Sequence, residues 1–274
     1  MADRRQSSGS RARPDRDRVG DRRNRPPRDD LGGEQVEGRR AVLELLRAGR
    51  RRVRTVYVSR AAERDESLDA IVELAGAAAK VVPPERLAAI ARSEVHQGVV
   101  ALTTPLRPAD LDALFDAPDA FLVALDGVTD PRNLGAVLRV ADTAGATGVI
   151  VPRQRSARVT PAVAKAAAGA IEHVPIALVS GLPSALDRAA RAGVWTVGLD
   201  EDGDRSVYEL EVATERVVMV FGAEGRGLAR LTRERCEVLA RIPMRGHVES
   251  LNVAAAAAIA CHEVARRRAA STDA

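Results

Sequence analysis

The chain has 274 residues, enough for one or two domains with a sizeable core. A net charge of +4 and a pI near 9.6 suit a polyanionic partner, but Lys80 and Lys165 are the only lysines, so the arginine excess follows overall composition as much as function. Aromatic residues at 2% argue against base stacking as the main grip on RNA, Cys236 and Cys261 supply neither a disulfide framework nor a metal cluster, and no apolar run reads as a signal peptide or membrane span. A metal-free cytoplasmic protein is expected.

Residues 1–33 mix Arg, Asp, Ser, Gly and Pro with almost nothing apolar, and are expected to form a disordered basic tail. A small α/β unit follows over 34–104, with helices predicted at 39–46, 68–79 and 84–91 and strands at 53–58, 80–82 and 98–102. Within it Arg47, Arg50, Arg51, Arg52 and Arg54 form a run that reads either as a solvated charge cluster or as an RNA contact. Pro105 and Pro108 mark 105–118 as a linker ending in a helix from about 109.

From 119 to 270 strands alternate with helices. Strands are predicted at 120–125, 148–151, 173–178, 194–199, 217–221 and 238–242, with helices at 133–144, 161–169, 182–191 and 251–265. That alternation means a parallel sheet covered by helices on both faces. Such sheets bind ligands at the carboxyl ends of their strands.

The stretch 217–261 organises the rest. An apolar β-branched run stops at Gly222; Gly222, Gly225 and Gly227 give a loop whose backbone can approach a ligand. The spacing fits neither a dinucleotide fingerprint nor a P-loop. An acid between glycines, Glu224, has no place in a core. Ser250 sits where the N-cap of the last helix belongs, and Asn252 at the second helical position has poor propensity; both look placed for contacts. On the helix predicted from 133, Asn133 stands at the start. Arg139 lies among Leu134, Val137, Leu138 and Val140, a setting in which a charge is paired or functional.

The segments FGAEGRGL and IPMRGHVESLNVAAAAAIA, preceded by LDGVTDPRNLGAVLRVADTAGATGVIVP at 125–152, resemble the three ordered motifs of the SpoU/TrmH family of RNA ribose 2'-O-methyltransferases. HQGV at 96–99 and RSARVTPAVAKAAAGAIEHVP at 155–175 extend the likeness; in the latter, Lys165 and Glu172 read as structural or interface residues. Within the family the chain looks most like the bacterial 23S rRNA guanosine enzymes. The resemblance implies a SPOUT domain with a C-terminal trefoil knot, a ribosomal-protein-like RNA-binding domain before it, S-adenosylmethionine as cofactor and a homodimer. It implies catalytic roles for Arg139, Asn133, Glu224, Ser250 and Asn252. It assigns cofactor binding to Phe221, Gly222, Ala223, Glu224, Gly225, Ile242, Pro243, Met244, Leu251 and Asn252. The arginine run at 47–54 becomes an RNA-backbone contact. One departure is Ala254, where the family pattern commonly carries serine.

Methyl transfer to a 2'-hydroxyl needs a positioned oxygen and an outlet for its proton. Arginine is an improbable base in water, since a guanidinium deprotonates only above pH ~12. Arg139 therefore either stabilises developing alkoxide charge or holds the flanking phosphate, and the family likeness implies that it activates the hydroxyl. Two other readings stay open: the same chemistry on tRNA or at an antibiotic-resistance site of rRNA, and a non-catalytic RNA-binding factor for ribosome assembly.

Overall fold

The computed structural model describes residues 30–154, 159–247 and 250–272. Most of the expected N-terminal tail, with 155–158 of the matched middle segment, lies outside them. Among the described residues no helix is long and apolar enough to cross a membrane.

The N-terminal unit is built from β1 (Gln35–Glu37), α1 (Arg39–Ala48), β2 (Val53–Ser59), α2 (Glu66–Ala75), β3 (Ala79–Val82), α3 (Pro84–Ile90) and β4 (Val99–Thr103). Its sheet runs β1-β4-β2-β3, antiparallel except for the β2–β3 pair. The larger unit follows as α4 (Leu111–Phe115), β5 (Phe121–Asp126), α5 (Pro131–Thr143), β6 (Gly148–Pro152), α6 (Pro161–Ala166), β7 (Ile176–Val179), α7 (Leu182–Arg191), β8 (Trp195–Leu199) and β9 (Arg205–Ser206). It ends with β10 (Val217–Gly222), α8 (Arg230–Arg233), β11 (Val238–Arg241) and α9 (Val253–Thr272). Its seven strands are all parallel, in the order β7-β6-β5-β10-β8-β11-β9.

The sheet is covered on both faces, and the pleat divides each central strand between them. Val217, Met219 and Phe221 of β10 join Phe121, Val123 and Leu125 of β5 in the cluster under α5 and α9. Val218 and Val220, with Leu122 and Ala124, face the opposite cluster under α4 and α7. Leu111, Leu114 and Phe115 sit in that second cluster, so the helix expected from about 109 at the end of the linker packs against the sheet.

The first cluster does not stop at the larger unit. Val36, Leu45, Val56 and Ile71 of the N-terminal unit belong to it as well. The two units also share a buried ion pair: Arg51 Nε donates to Glu172 Oε2 at 2.9 Å, its Nη2 bonds Glu172 Oε1, and its Nη1 donates to the Gly33 carbonyl at 2.7 Å. Residues 30–33, expected to belong to the tail, are ordered. Leu31 is buried, its amide donates to the Leu106 carbonyl at 3.1 Å, and its carbonyl accepts from Val159 at 3.2 Å.

Helix starts are set by side chains two or three residues away from where the sequence suggests. Asp130 accepts from the Arg132 amide at 2.7 Å, so α5 begins at Pro131, and Asn133 is already inside the first turn. The last helix begins at Val253 because Asn252 Oδ1 accepts from the Ala254 amide at 2.9 Å; Asn252 is the cap, and Ser250 lies two residues before it. At the other end of α9, Arg268 donates to the carbonyls of Asp119 (2.8 Å), Ala120 (3.0 Å) and Ala213 (3.1 Å) and stacks over Phe121, 5.2 Å from the ring centroid. Burial lowers the pKa of this guanidinium, against the pull of Asp119 and Glu215. Anchored there at the amino edge of the sheet, twenty residues of helix span about 30 Å and deliver Asn252 to the carboxyl edge.

Candidate active site

The site grows from the ends of β5 and β10. Asp126 and Gly222 stand side by side in register, and Asp126 Oδ2 accepts from the Ala229 amide at 2.8 Å, which ties down the far end of the loop after β10. That loop closes on itself: the Ala223 amide donates to the Gly227 carbonyl (3.1 Å) and the Gly227 amide returns to the Ala223 carbonyl (2.9 Å). The turn needs left-handed backbone at Gly225 (φ 74°) and Gly227 (φ 61°). A Cβ on Gly222 would overlap the Gly227 carbonyl and the Leu228 amide. The glycine is thus required by the loop's own closure, with no appeal to a ligand. Glu224 is left at the exposed tip.

Three of the five expected catalytic side chains meet there. Asn133 Nδ2 donates to Glu224 Oε2 at 3.2 Å, and Asn252 Nδ2 donates to Asn133 Oδ1 at 3.0 Å and to Glu224 Oε2 at 3.5 Å. The order of donors follows from the backbone. Because the Ala254 amide must be accepted by Asn252 Oδ1, the Asn252 NH2 group turns toward Asn133. Asn133 then presents its oxygen to Asn252 and its own NH2 to the carboxylate. One helix cap therefore sets the orientation of both amides and of Glu224.

Arg139 and Ser250 are not part of this cluster. Ser250 is exposed and has no hydrogen-bond partner among the described residues. Arg139 is also exposed, because residues adjacent in sequence point to different faces of a helix; Leu138 and Val137 are buried while Arg139 faces outward. Arg139 lines a cavity of about 320 Å³ between α5 and α1, together with Arg40, Glu44, Asp142, Thr143 and His173.

The expected cofactor-binding positions lie around the same edge. Phe221 is buried beneath it, whereas Met244 (39% exposed) and Leu251 (38%) present large apolar side chains to solvent from the loops flanking Ser250 and β11. Gly222, Ala223 and Ile242 are half-buried; Glu224, Gly225 and Pro243 are exposed. Among the described residues the amides of Glu224, Gly225 and Met244 have no acceptor, so free donors and uncovered apolar surface stand together. That mixture fits a nucleoside with a charged tail.

The arginine run divides. Arg51 is not available to RNA, since its side chain is 4% exposed and paired with Glu172, which holds the two units together. Arg47 pairs with Glu44, and Arg50 donates to the His173 carbonyl at 2.9 Å. Arg52 and Arg54 are exposed, and their side chains have no partner among the described residues. Arg40, one turn before Glu44 in α1, gave no signal in the sequence beyond being one more basic residue.

Comparison with known proteins covers both units. Residues 120–262 match the SpoU rRNA Methylase family, and residues 35–109 match RNA 2'-O ribose methyltransferase substrate binding. An "Uncharacterized tRNA/rRNA methyltransferase" of Mycolicibacterium vanbaalenii is 43% identical over 86% of this chain and 77% of its own length. The 23S rRNA (guanosine-2'-O-)-methyltransferase RlmB of Pseudomonas putida is 42% identical over 86% of this chain and 97% of its own. The SpoU methyltransferase AviRb from Streptomyces viridochromogenes, solved in complex with AdoMet, superposes with a TM-score of 0.73 at 28% identity, covering 86% of this chain and 90% of that one. With the parallel sheet, the glycine loop and the two matched segments in agreement, the chain belongs to the SpoU rRNA methylase family.

Proposed function

We propose that this enzyme transfers a methyl group from S-adenosylmethionine to the ribose 2'-hydroxyl of a guanosine in 23S rRNA, in the cytoplasm and as a homodimer. The observation that carries the reading is the Asn133–Glu224–Asn252 network at the carboxyl edge of the sheet. The choice of rRNA is supported by the relative named for 23S rRNA, whose similarity runs through the N-terminal unit as well as the larger one.

S-adenosylmethionine supplies an electrophilic methyl on a sulfonium; the remaining requirements fall on the chain. The free amides of Glu224, Gly225 and Met244, with the apolar surfaces of Met244 and Leu251, would hold the cofactor. Asn133 and Asn252 fix the Glu224 carboxylate and so the shape of the loop against the nucleotide. Holding oxygen and methyl in line contributes roughly 7–11 kcal/mol where geometry is good. Arg139, a cation with no partner among the described residues, stabilises charge on the 2'-oxygen or holds the adjoining phosphate, and the proton leaves to water or phosphate.

Dimerisation is supported by α9. It buries Val253, Ala257, Ala260, Cys261 and Val264 within its own chain, against α5 and the sheet, while Ala255 is exposed and Ala254, Ala258 and Ile259 are only half-covered. A second copy on this face would let Arg139 of one chain serve the loops of the other. The proposed trefoil knot is supported by the chain path: β11 lies on the far side of β8, and α9 returns to pack on α5.

The test is to incubate the full chain with S-adenosylmethionine carrying a labelled methyl group and with separate 23S rRNA and tRNA transcripts, then to map alkali-resistant linkages. A single resistant linkage 3' to a guanosine of 23S rRNA is expected. Modification of tRNA alone would replace the substrate, and the absence of transfer to any RNA would favour a binding factor.

A further inference from the structure

The cavity between α1 and α5 holds two cations that no group among the described residues neutralises. Their neighbours Arg39, Arg47, Arg50 and Arg51 are all committed: Arg39 to Asp65 and the Gln97 carbonyl, Arg47 to Glu44, Arg50 to the His173 carbonyl, Arg51 to Glu172. The Arg40 side chain has no hydrogen bond or ion pair among the described residues, nor has that of Arg139, and both residues line the same cavity of about 320 Å³. Of the carboxylates on its wall, Glu44 is taken up by His173 at 2.9 Å and Arg47 at 2.9 Å, which leaves Asp142 as the one uncommitted acid of that wall against two guanidinium groups.

The approach of the two helices is built in. The wall between them is the turn after α6, where Ala168 takes φ 51° and Gly169 φ 95°. A non-glycine residue held in that region is strained, and such strain persists only where the surroundings impose it. A Cβ on Gly169 would collide with the Glu44 side chain, so the glycine lets α1 sit down on the larger unit. Seating α1 in this way brings Arg40 into one cavity with Arg139.

We propose that this cavity is a phosphate subsite for the substrate RNA, in which Arg40 and Arg139 grip the same phosphodiester. The inference rests on the methyltransferase reading above and adds a residue of the N-terminal unit to it. Two forked guanidinium groups match the paired oxygens of a phosphate better than any single-point partner. Arg40 is a positioning residue: it sets the ribose against Arg139 and takes no part in moving the methyl group or the proton. Docking of the two units is thereby part of substrate recognition, since undocking would separate the two cations.

The experiment measures binding of the full chain to transcribed 23S rRNA over a range of salt, for wild type, Arg40→Ala, Arg40→Lys, Arg139→Ala and the Arg40→Ala/Arg139→Ala double variant. Arg40→Ala should weaken RNA binding at least fivefold and lower the slope of log affinity against log salt by roughly 0.7–0.9, as for one lost phosphate contact. KM for RNA should rise by a similar factor with kcat within about threefold, and cofactor binding should be unchanged. Arg40→Lys should regain most of the salt slope, which a purely structural role for Arg40 would not explain. Because the two residues share a ligand, the double variant should lose less than the product of the single losses. Unchanged affinity and slope in Arg40→Ala would overturn the subsite, and multiplicative losses in the double variant would overturn the shared phosphate. A wild-type protein that binds 23S rRNA without methylating it would refute the proposed reaction, while the binding comparison would still decide the role of Arg40.

Discussion

Asn252→Asp separates the two jobs of Asn252. Aspartate caps a helix as well as asparagine does, and a negative charge at a helix N-terminus is favourable by about 0.3–1 kcal/mol, so α9 should be no less stable. What changes is the other side of the residue. The Oδ1 atom still accepts from Ala254, but the group facing Asn133 Oδ1 at 3.0 Å and Glu224 Oε2 at 3.5 Å becomes an acceptor where a donor stood. One hydrogen bond to Asn133 is lost, about 0.5–1.5 kcal/mol. Two carboxylates 3.5 Å apart also repel by about 1.2 kcal/mol in water-like surroundings. Since Glu224 is exposed it can swing away, which spares the fold and dissolves the network. If the resulting loss of about 1.7–2.7 kcal/mol falls on the transition state, transfer should slow roughly 20- to 100-fold. Initial rates of methyl incorporation, paired with thermal melts, make the measurement. A melting temperature within a few degrees of wild type combined with activity within about threefold would refute the argument that this amide orients the site.

Arg139→Ala should abolish transfer and leave calorimetric affinity for S-adenosylmethionine nearly intact; activity within about tenfold of wild type, about 1.4 kcal/mol, would remove Arg139 from the chemistry. Glu172→Gln leaves a buried Arg51 unpaired and should cost about 3–5 kcal/mol in urea unfolding, with Arg51→Met/Glu172→Leu regaining most of it. A loss below about 1 kcal/mol would mean that the ion pair does not hold the two units together. A test of the dimer needs a residue of α9 that its own chain does not bury, which rules out Ala257. Ala255→Glu is better placed: it is exposed and lies in the first turn of α9, where glutamate favours the helix. Sedimentation should show a monomer, and an unchanged dimer would place the interface elsewhere.

Sequence alone determined the elements whose signals are local. The β-branched run of β10 must be buried on both faces, and an alanine-rich segment after a polar loop must be helical whatever it packs on. The glycine loop and the motif residues were legible for the same reason, and the alternation of strands and helices implied a parallel sheet with its site at the carboxyl edge. Elements whose stability comes from distant partners were not legible. The three residues of β1 include Gln35 and Glu37, both buried; Glu37 is tolerated there because it accepts from the Arg92 (2.6 Å) and Ser93 (3.1 Å) amides. Nothing in a run of arginines distinguishes Arg51, neutralised by a carboxylate 121 residues away, from Arg52, which is left to solvent. Nor does the sequence tell whether Ser250 or Asn252 caps α9, since both side chains can accept an amide and the choice depends on where the helix is anchored. Burial of charge, the choice of cap and the placing of Arg40 and Arg139 on one cavity are properties of the docked units, because each depends on which elements pack together.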